Sequence, residues 1–411
     1  MLNWTQQFDT FCFLDNHGYQ IAPHTQECLL AAGVRRQFTL GGQPGLENFQ
    51  AFIDTGKTWL FGHLGYGLQT GDTPRHPAHP DRVGFPDLFF FEPAVLIRLN
   101  DTALVIEADD PDKVHSDLIG VGLPGSPPGR AGAAVPIYSR LQRDEYIAIV
   151  NRLKEHIRRG DCYEINFCQE FFSDHAVIDP LEVYRQLSAV SPNPFSAFYR
   201  LGQRWLLCAS PERFLQRQGD RIVSQPIKGT AKRIAGSTIE DEQEKTALFI
   251  SSKDRSENVM VVDLVRNDLA RICREGSVKV DELYGIYSFP QVHQMISTVS
   301  GTLRDDVSFA DIIRATFPMG SMTGAPKKRV MELIAQYEHT KRGLFSGAIG
   351  YISPEGDFDF NVVIRSILYN AAAGYLSFLA GSGLTFYSEA ESEWEECMVK
   401  AEAIRNVLSG L

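Results

Sequence analysis

Residues 347–388 read GAIGYISPEGDFDFNVVIRSILYNAAAGYLSFLAGSGLTFYS. Apolar runs at Gly347–Ser353, Asp359–Leu368 and Leu376–Ala380 predict strands in hairpin-like succession. From Ser366 to Ser388 the chain carries no charge and nearly reaches membrane-spanning length. Asn370, Ser377, Ser382, Thr385 and three glycines (Gly374, Gly381, Gly383) interrupt it, so it reads as buried strands and a Gly loop, not a membrane helix. The loop Ala380-Gly381-Ser382-Gly383 offers close backbone contact to a carboxylate, or is merely a bend.

Working outward, the alternation Tyr163, Ile165, Phe167 against Glu164, Asn166 predicts another strand. Further strands are expected at Phe195–Leu201, Trp205–Ala209, Arg213–Gln216, Leu283–Tyr287 and His293–Gly301. Helices are expected with the stripe Tyr146, Val150, Leu153, Ile157 (capped by Ser139 and closed at Gly160), across Glu240–Ser252 and Glu257–Ile272, from near Ala325, and over Glu389–Leu408. Strand runs with helices grouped between them indicate an α+β fold with antiparallel sheets. Residues 120–136, GVGLPGSPPGRAGAAVP, form the clearest linker, because five Gly and four Pro sustain neither helix nor ladder. It divides one large unit, 1–411, into a weakly patterned N-terminal part, 1–119, and a motif-bearing part, 137–411. A second loop spans Pro74–Pro86, and no internal repeat is present.

The 411 residues carry a net charge of −11, which argues against a general nucleic-acid binder. The opening MLNWTQQFDTFCFLD has two Asp and no Lys or Arg, unlike a targeting segment. Seven scattered Cys without a CxxC pair suit reduced thiols and a cytoplasmic location, with no membrane partner.

Several segments carry candidate chemistry. In Gln225–Arg233, QPIKGTAKR, Lys228 lies beside Ile227 and near Lys232 and Arg233. A lysine in an apolar, cation-rich site has a lowered pKa and acts as a nucleophile; the alternative is a solvated basic turn. Gly229-Thr230 offers backbone approach and a hydroxyl. Glu212, in the turn Ser210-Pro211-Glu212-Arg213, is a candidate general acid/base or a partner of Arg213. On the last helix Ala390, Trp394, Cys397, Ala401, Ile404 and Leu408 form the core stripe. Beside it Glu389, Glu393, Glu396 and Lys400 form a charged stripe able to hold Mg²⁺, or a solvated face with a Glu396–Lys400 pair. Glu257 opens its helix, as a dipole partner or as a metal ligand. In FPMGSMTGAPKK, Gly320 and Gly324 flank Thr323 ahead of a helix, an arrangement that presents N–H groups to an anion with Lys327 or Lys328 nearby. His293 and Arg365 each sit within a strand pattern, where core or surface roles are the commoner ones.

Together, GDCYEINF, SPERF, PIKGT, ENVMVVDLVRNDLARI, FPMGSMTGAPK, GAIGYISPEGDFDFNVVIRS, AGSG and EWEECMVK resemble the chorismate-utilising enzymes, in that family's order, from Gly160 to the C-terminus. WLFGHLGYGL resembles the family's N-terminal sheet segment. The resemblance implies an anthranilate synthase component I-like fold: two packed antiparallel sheets, helices outside, and the active site in the cleft between them. It implies Mg²⁺ on Glu257 and Glu396, with Glu393 close by. It implies substrate contacts from Gly229, Thr230, Thr323, Gly324, Arg365, Gly381, Ser382, Gly383 and Lys400. His293 falls at the family's active-site histidine and Glu212 at its acid/base.

Lys228 discriminates within the family. Anthranilate, isochorismate and salicylate enzymes carry a small residue there, whereas Lys-type aminodeoxychorismate synthases carry PIKGT. The resemblance therefore implies component I chemistry: chorismate plus ammonia to 4-amino-4-deoxychorismate, for para-aminobenzoate and folate, through a covalent Lys228 intermediate. The competing reading is anthranilate synthase component I; a non-catalytic paralogue would be expected to lack Lys228, Glu212, Glu257 or Glu396. No G-x-C-x-G segment occurs, so ammonia is expected from a separate glutamine amidotransferase subunit. Three positions depart from the family pattern: Glu164 for the usual Gln, the run Ser382-Gly383-Leu384-Thr385, and Phe345 for the Tyr of anthranilate synthases.

Overall fold

The computed structural model describes all residues except 20–27, 42–44, 71–78, 121–133, 235, 291 and 411. Strand Arg204–Ser210 shows how the layers are built. Trp205, Leu207 and Ala209 enter one apolar cluster, and Leu206 and Cys208 enter another. Side chains alternate across a strand, so an almost unbroken apolar run means that both faces are covered.

Antiparallel ladders order the first layer as Glu164–Ser173, Tyr375–Leu384, Ser366–Asn370, Arg204–Ser210, Phe195–Leu201 and Thr10–Asp15. The second runs Leu60–Leu64, Ala348–Ile352, Phe358–Asn361, Arg213–Gln218, Arg221–Gln225, Val292–Thr302 and Lys279–Ser288. Ile227–Lys232 continues along Val292–Thr302. The layers are not separate sheets. Cys28–Leu40 pairs with Leu88–Leu99, and this pair reaches Thr10–Asp15 at one end and Leu60–Leu64 at the other. Its register slips between Val34 and Arg36, beside Gly33 at φ 69° and opposite Pro93, which has no N–H to give to the ladder. Every pairing among the described strands is antiparallel, and the two expected sheets are two layers of one bent ladder.

The inner faces share one cluster, crossed by a hydrogen bond of 3.0 Å between His63 and Tyr199. Helices Arg143–Arg158, Pro180–Val190 and Ala390–Leu408 cover the first layer's outer face. Ser252–Ala270 and Phe309–Thr316 pack with the second layer. Among the described residues no helix is long and apolar enough to cross a membrane. All seven cysteines are buried and free.

Four local expectations are corrected. Ser139 caps no helix; it lies in the short strand Tyr138–Ser139, and the helix begins at Arg143. Glu257 does not open its helix, because Ser251 caps it and Ser252 starts it. Asp359–Leu368 is not continuous: Phe358–Asn361 and Ser366–Asn370 belong to different layers, and Arg365 at φ 50° turns the chain between them. The linker 120–136 begins inside helix Pro111–Gly120, and residues 121–133 of it lie outside the described residues.

Candidate active site

Where the layers meet, a lysine and a glutamate face each other. The register of Ile227–Lys232 slips between Ile227 and Thr230, and Gly229 takes φ 95°. This irregularity turns the buried Lys228 toward the first layer, where its Nζ lies 2.7 Å from Glu164 Oε1. Gly383 leaves room for the pair; a Cβ there would stand 2.7 Å from Lys228 Nζ and 3.0 Å from Glu164 Oε1. Burial pushes the amine's pKa down, but the carboxylates of Glu164, Glu257 and Glu212 outweigh it and the pKa rises. The expected lowering by neighbouring cations is thus overturned. Arg233 is taken by Asp241 at 2.8 Å, and Lys232 is exposed.

Glu212 is held by its turn. Ser210 Oγ donates to Val362 O at 2.6 Å and accepts from Glu212 N at 3.2 Å. Burial raises the Glu212 carboxyl to about 7, against the pull of the Ser321 hydroxyl, Lys228 and Arg365. It does not pair with Arg213, which clamps Asp359 through two contacts of 3.0 Å. Among the described residues no partner binds the Arg365 guanidinium, which is half-buried near Glu212.

Three further carboxylates come from helices Ser252–Ala270 and Ala390–Leu408. Glu393 is buried and accepts a hydrogen bond from Ser382. Glu396 pairs with Lys400 at 2.6 Å, and Lys400 also donates to Gly381 O at 3.0 Å. Burial raises Glu257 to about 7, and its buried Oε1 has no hydrogen-bond partner among the described residues. Hard oxygen donors from two helices suit Mg²⁺, which uses one or two carboxylates and completes its shell with water and substrate. No group of three His, Cys, Asp or Glu side chains among the described residues is arranged to hold a metal ion by itself.

The Thr323-Gly324 turn is fastened to the first layer. Arg342 pairs with Glu338 at 2.6 Å and donates to Met322 O and Asn166 O, while Gly324 pairs with Ile165. A Cβ on Gly324, at φ 141°, would meet Glu164 O at 2.1 Å. Thr323 Oγ1 already donates to Met319 O. Lys327 is not free for an anion; it binds Asp268 at 2.5 Å. Thr230 is exposed on the strand beside Lys228. His293 is buried with both ring nitrogens engaged, by Ser288 at 2.8 Å and Asp241 at 3.1 Å. Its place is in the Asp241–Arg233 network, apart from the charges that act on Lys228. Sequence reading assigned nothing to Lys253 and Ser321. Only the spacing of Lys253 four residues before Glu257 hinted at the first, and nothing local marked the second.

Residues 25–406 match the family described as chorismate binding enzyme, and the chain belongs to that family. Within it, the chain is 41% identical over 271 residues to aminodeoxychorismate synthase component 1 of Klebsiella aerogenes, covering 66% of this chain and 59% of that protein. It is 34% identical over 335 residues to anthranilate synthase component 1 of Thermus thermophilus, covering 79% and 72%. The alignment with the Klebsiella protein thus spans under two thirds of that relative. Anthranilate synthase component I of Streptococcus pneumoniae TIGR4 shares the fold, with TM-score 0.80 and 23% identity over 95% of both chains. The menaquinone-specific isochorismate synthase of Escherichia coli also has TM-score 0.80, at 16% identity over 99% and 91%.

Proposed function

We propose that this chain, acting as one unit in the cytoplasm, is a component I aminodeoxychorismate synthase that converts chorismate and ammonia to 4-amino-4-deoxychorismate. The placement of Lys228 carries the reading: a buried amine 2.7 Å from a carboxylate and in the field of a second one protonated near neutrality. Lys228 passes its proton to Glu164, and the neutral amine attacks C2 of chorismate. Both ring double bonds shift by one position, and the C4 hydroxyl leaves as water with the Glu212 proton. Ammonia then adds at C4, the double bonds return, and the Lys228 nitrogen leaves C2. The new ammonium group gives a proton to Glu212, and Lys228 recovers its own from Glu164. The enolpyruvyl ether is untouched, so the net change is replacement of the C4 hydroxyl by an amino group, with ammonia consumed and water released.

Gly229, Thr230, the Thr323-Gly324 turn, Arg365, the Gly381-Ser382-Gly383 backbone and Lys400 surround the substrate carboxylates. His293 stands beside Ile227–Lys232 with its ring held between Ser288 and Asp241, an arrangement able to relay a proton. Glu257 and Glu396, with Glu393 beside them, would hold Mg²⁺, which when bound neutralises a substrate carboxylate. Ammonia comes from a separate glutamine amidotransferase. The test is mass analysis after incubation with chorismate, Mg²⁺ and an ammonium salt. An aminated product that keeps enolpyruvyl is expected; anthranilate sinks the reading. Glutamine alone should support no turnover by the purified chain, and turnover with it would remove the need for a partner.

A further inference from the structure

Among the carboxylates, one cation has no firm partner of its own. Lys253 is the second residue of helix Ser252–Ala270, and its Nζ lies 3.9 Å from Glu257 Oε1 and 3.8 Å from Glu393 Oε1. Both separations are too long for hydrogen bonds. The field of Glu396 and Asp254 adds to that of Glu257 and Glu393. The neighbouring cations are committed elsewhere, Lys228 to Glu164 and Lys400 to Glu396.

The helix itself does not favour this lysine. A cation in the first turn opposes the helix dipole, and Lys four residues before Glu is the weaker orientation of the pair. The carboxylates of the two helices hold it there. Its side chain is 51% exposed, so four rotatable bonds can carry the ammonium into water without disturbing the core.

We propose that the Lys253 ammonium is the counter-ion shared by the Glu257 and Glu393 carboxylates beside Glu396, and that Mg²⁺ enters by displacing it. This rests on those carboxylates being the Mg²⁺ site. Lys253 keeps three mutually repelling carboxylates together while the metal is away, and it sets a threshold concentration for metal entry.

The test titrates MgCl₂ calorimetrically into the wild-type chain, Lys253→Met and Lys253→Arg, and follows thermal unfolding with chelator and with Mg²⁺. Lys253→Met should bind Mg²⁺ about tenfold more tightly, or about 1.4 kcal/mol. In chelator its Tm should fall, and its rise with Mg²⁺ should exceed that of the wild type. Lys253→Arg, which keeps the charge, should behave as the wild type does. Affinity that is unchanged or weaker in Lys253→Met overturns displacement while leaving the metal site standing. No binding heat and no Tm rise in any of the three chains overturns the Mg²⁺ assignment itself, and displacement with it.

Discussion

Lys228, Glu212 and Gly383 concentrate the chemistry at the scale of single side chains. If Lys228 is the nucleophile, the wild-type chain held with chorismate and Mg²⁺ without ammonia should gain a substrate-derived mass on that lysine. Lys228→Ala should show neither adduct nor aminodeoxychorismate; an undiminished rate in the variant would end the covalent route. Gly383→Ala places a methyl at 2.7 Å from Lys228 Nζ. The amine must shift by a fraction of an ångström or more, and misplacement on that scale costs about 100-fold in rate. The variant should keep its Tm within a few degrees, with kcat carrying the loss. Glu212 adds a dependence on pH. Its folded pKa is raised to about 7, so the folded state holds this proton more tightly than the unfolded state does. Stability from the group is therefore present at low pH and declines as pH rises toward 7, leaving a penalty on the order of 3 kcal/mol above that. Glu212→Gln does not titrate. Its Tm relative to wild type should be higher at pH 8 than at pH 5, while its turnover is lost at both. An equal Tm difference at the two pH values would contradict a raised carboxyl.

Among the elements, two local devices can be separated by where they act. Helix Phe309–Thr316 starts with a capping box in which Ser308 and Asp311 satisfy each other's backbone N–H. Ser308→Ala should lower stability by about 1 kcal/mol in a denaturant titration and leave kcat alone, since the cap touches nothing in the cleft. Gly381 belongs to strand Tyr375–Leu384, and a Cβ there would meet Phe167 O at 1.9 Å. A backbone carbonyl inside a ladder cannot step aside as a side chain can. Gly381→Ala should therefore cost stability and activity together, in contrast to Gly383→Ala. Most elements were readable from local pattern: Arg204–Ser210 by its apolar run, and Ala390–Leu408 by its stripe of Ala390, Cys397, Ala401 and Ile404. The break at Arg365 was not, because Ser366–Asn370 leaves Phe358–Asn361 for a partner in the other layer. A run of β-formers records propensity and not which strand each residue will meet.

For the molecule as a whole, burial on both faces of the first layer governs accessibility. Burial lifts the thiols of Cys208, Cys273 and Cys397 to about 11 and Cys168 to about 12. Thiolate is then scarce at neutral pH, and the sulfur atoms are shielded. A disulfide reagent should leave all seven thiols unreacted over minutes in native protein and titrate all seven in denaturant. Rapid native reaction would show that the layers open. The N-terminal strands Thr10–Asp15, Cys28–Leu40, Leu60–Leu64 and Leu88–Leu99 bind the layers to each other, yet apart from WLFGHLGYGL they carried little legible pattern. Their task is pairing across long stretches of chain, which leaves no local signature.

The sequence by itself determined the family, the α+β class, most helices and strands, and the identity of the amine at position 228. These depend on residue type and short-range spacing, which a chain displays without folding. The tertiary structure alone decided the charges. It set Glu164 against Lys228 and raised a pKa that neighbours in sequence would lower. It gave Arg213 to Asp359, Lys327 to Asp268 and His293 to Asp241, leaving Glu212 buried with its carboxyl raised to about 7. It moved Glu257 off the helix start and placed Lys253 among the carboxylates. Ionisation follows distance and burial in three dimensions, and both are fixed only when strands far apart in the chain are brought side by side.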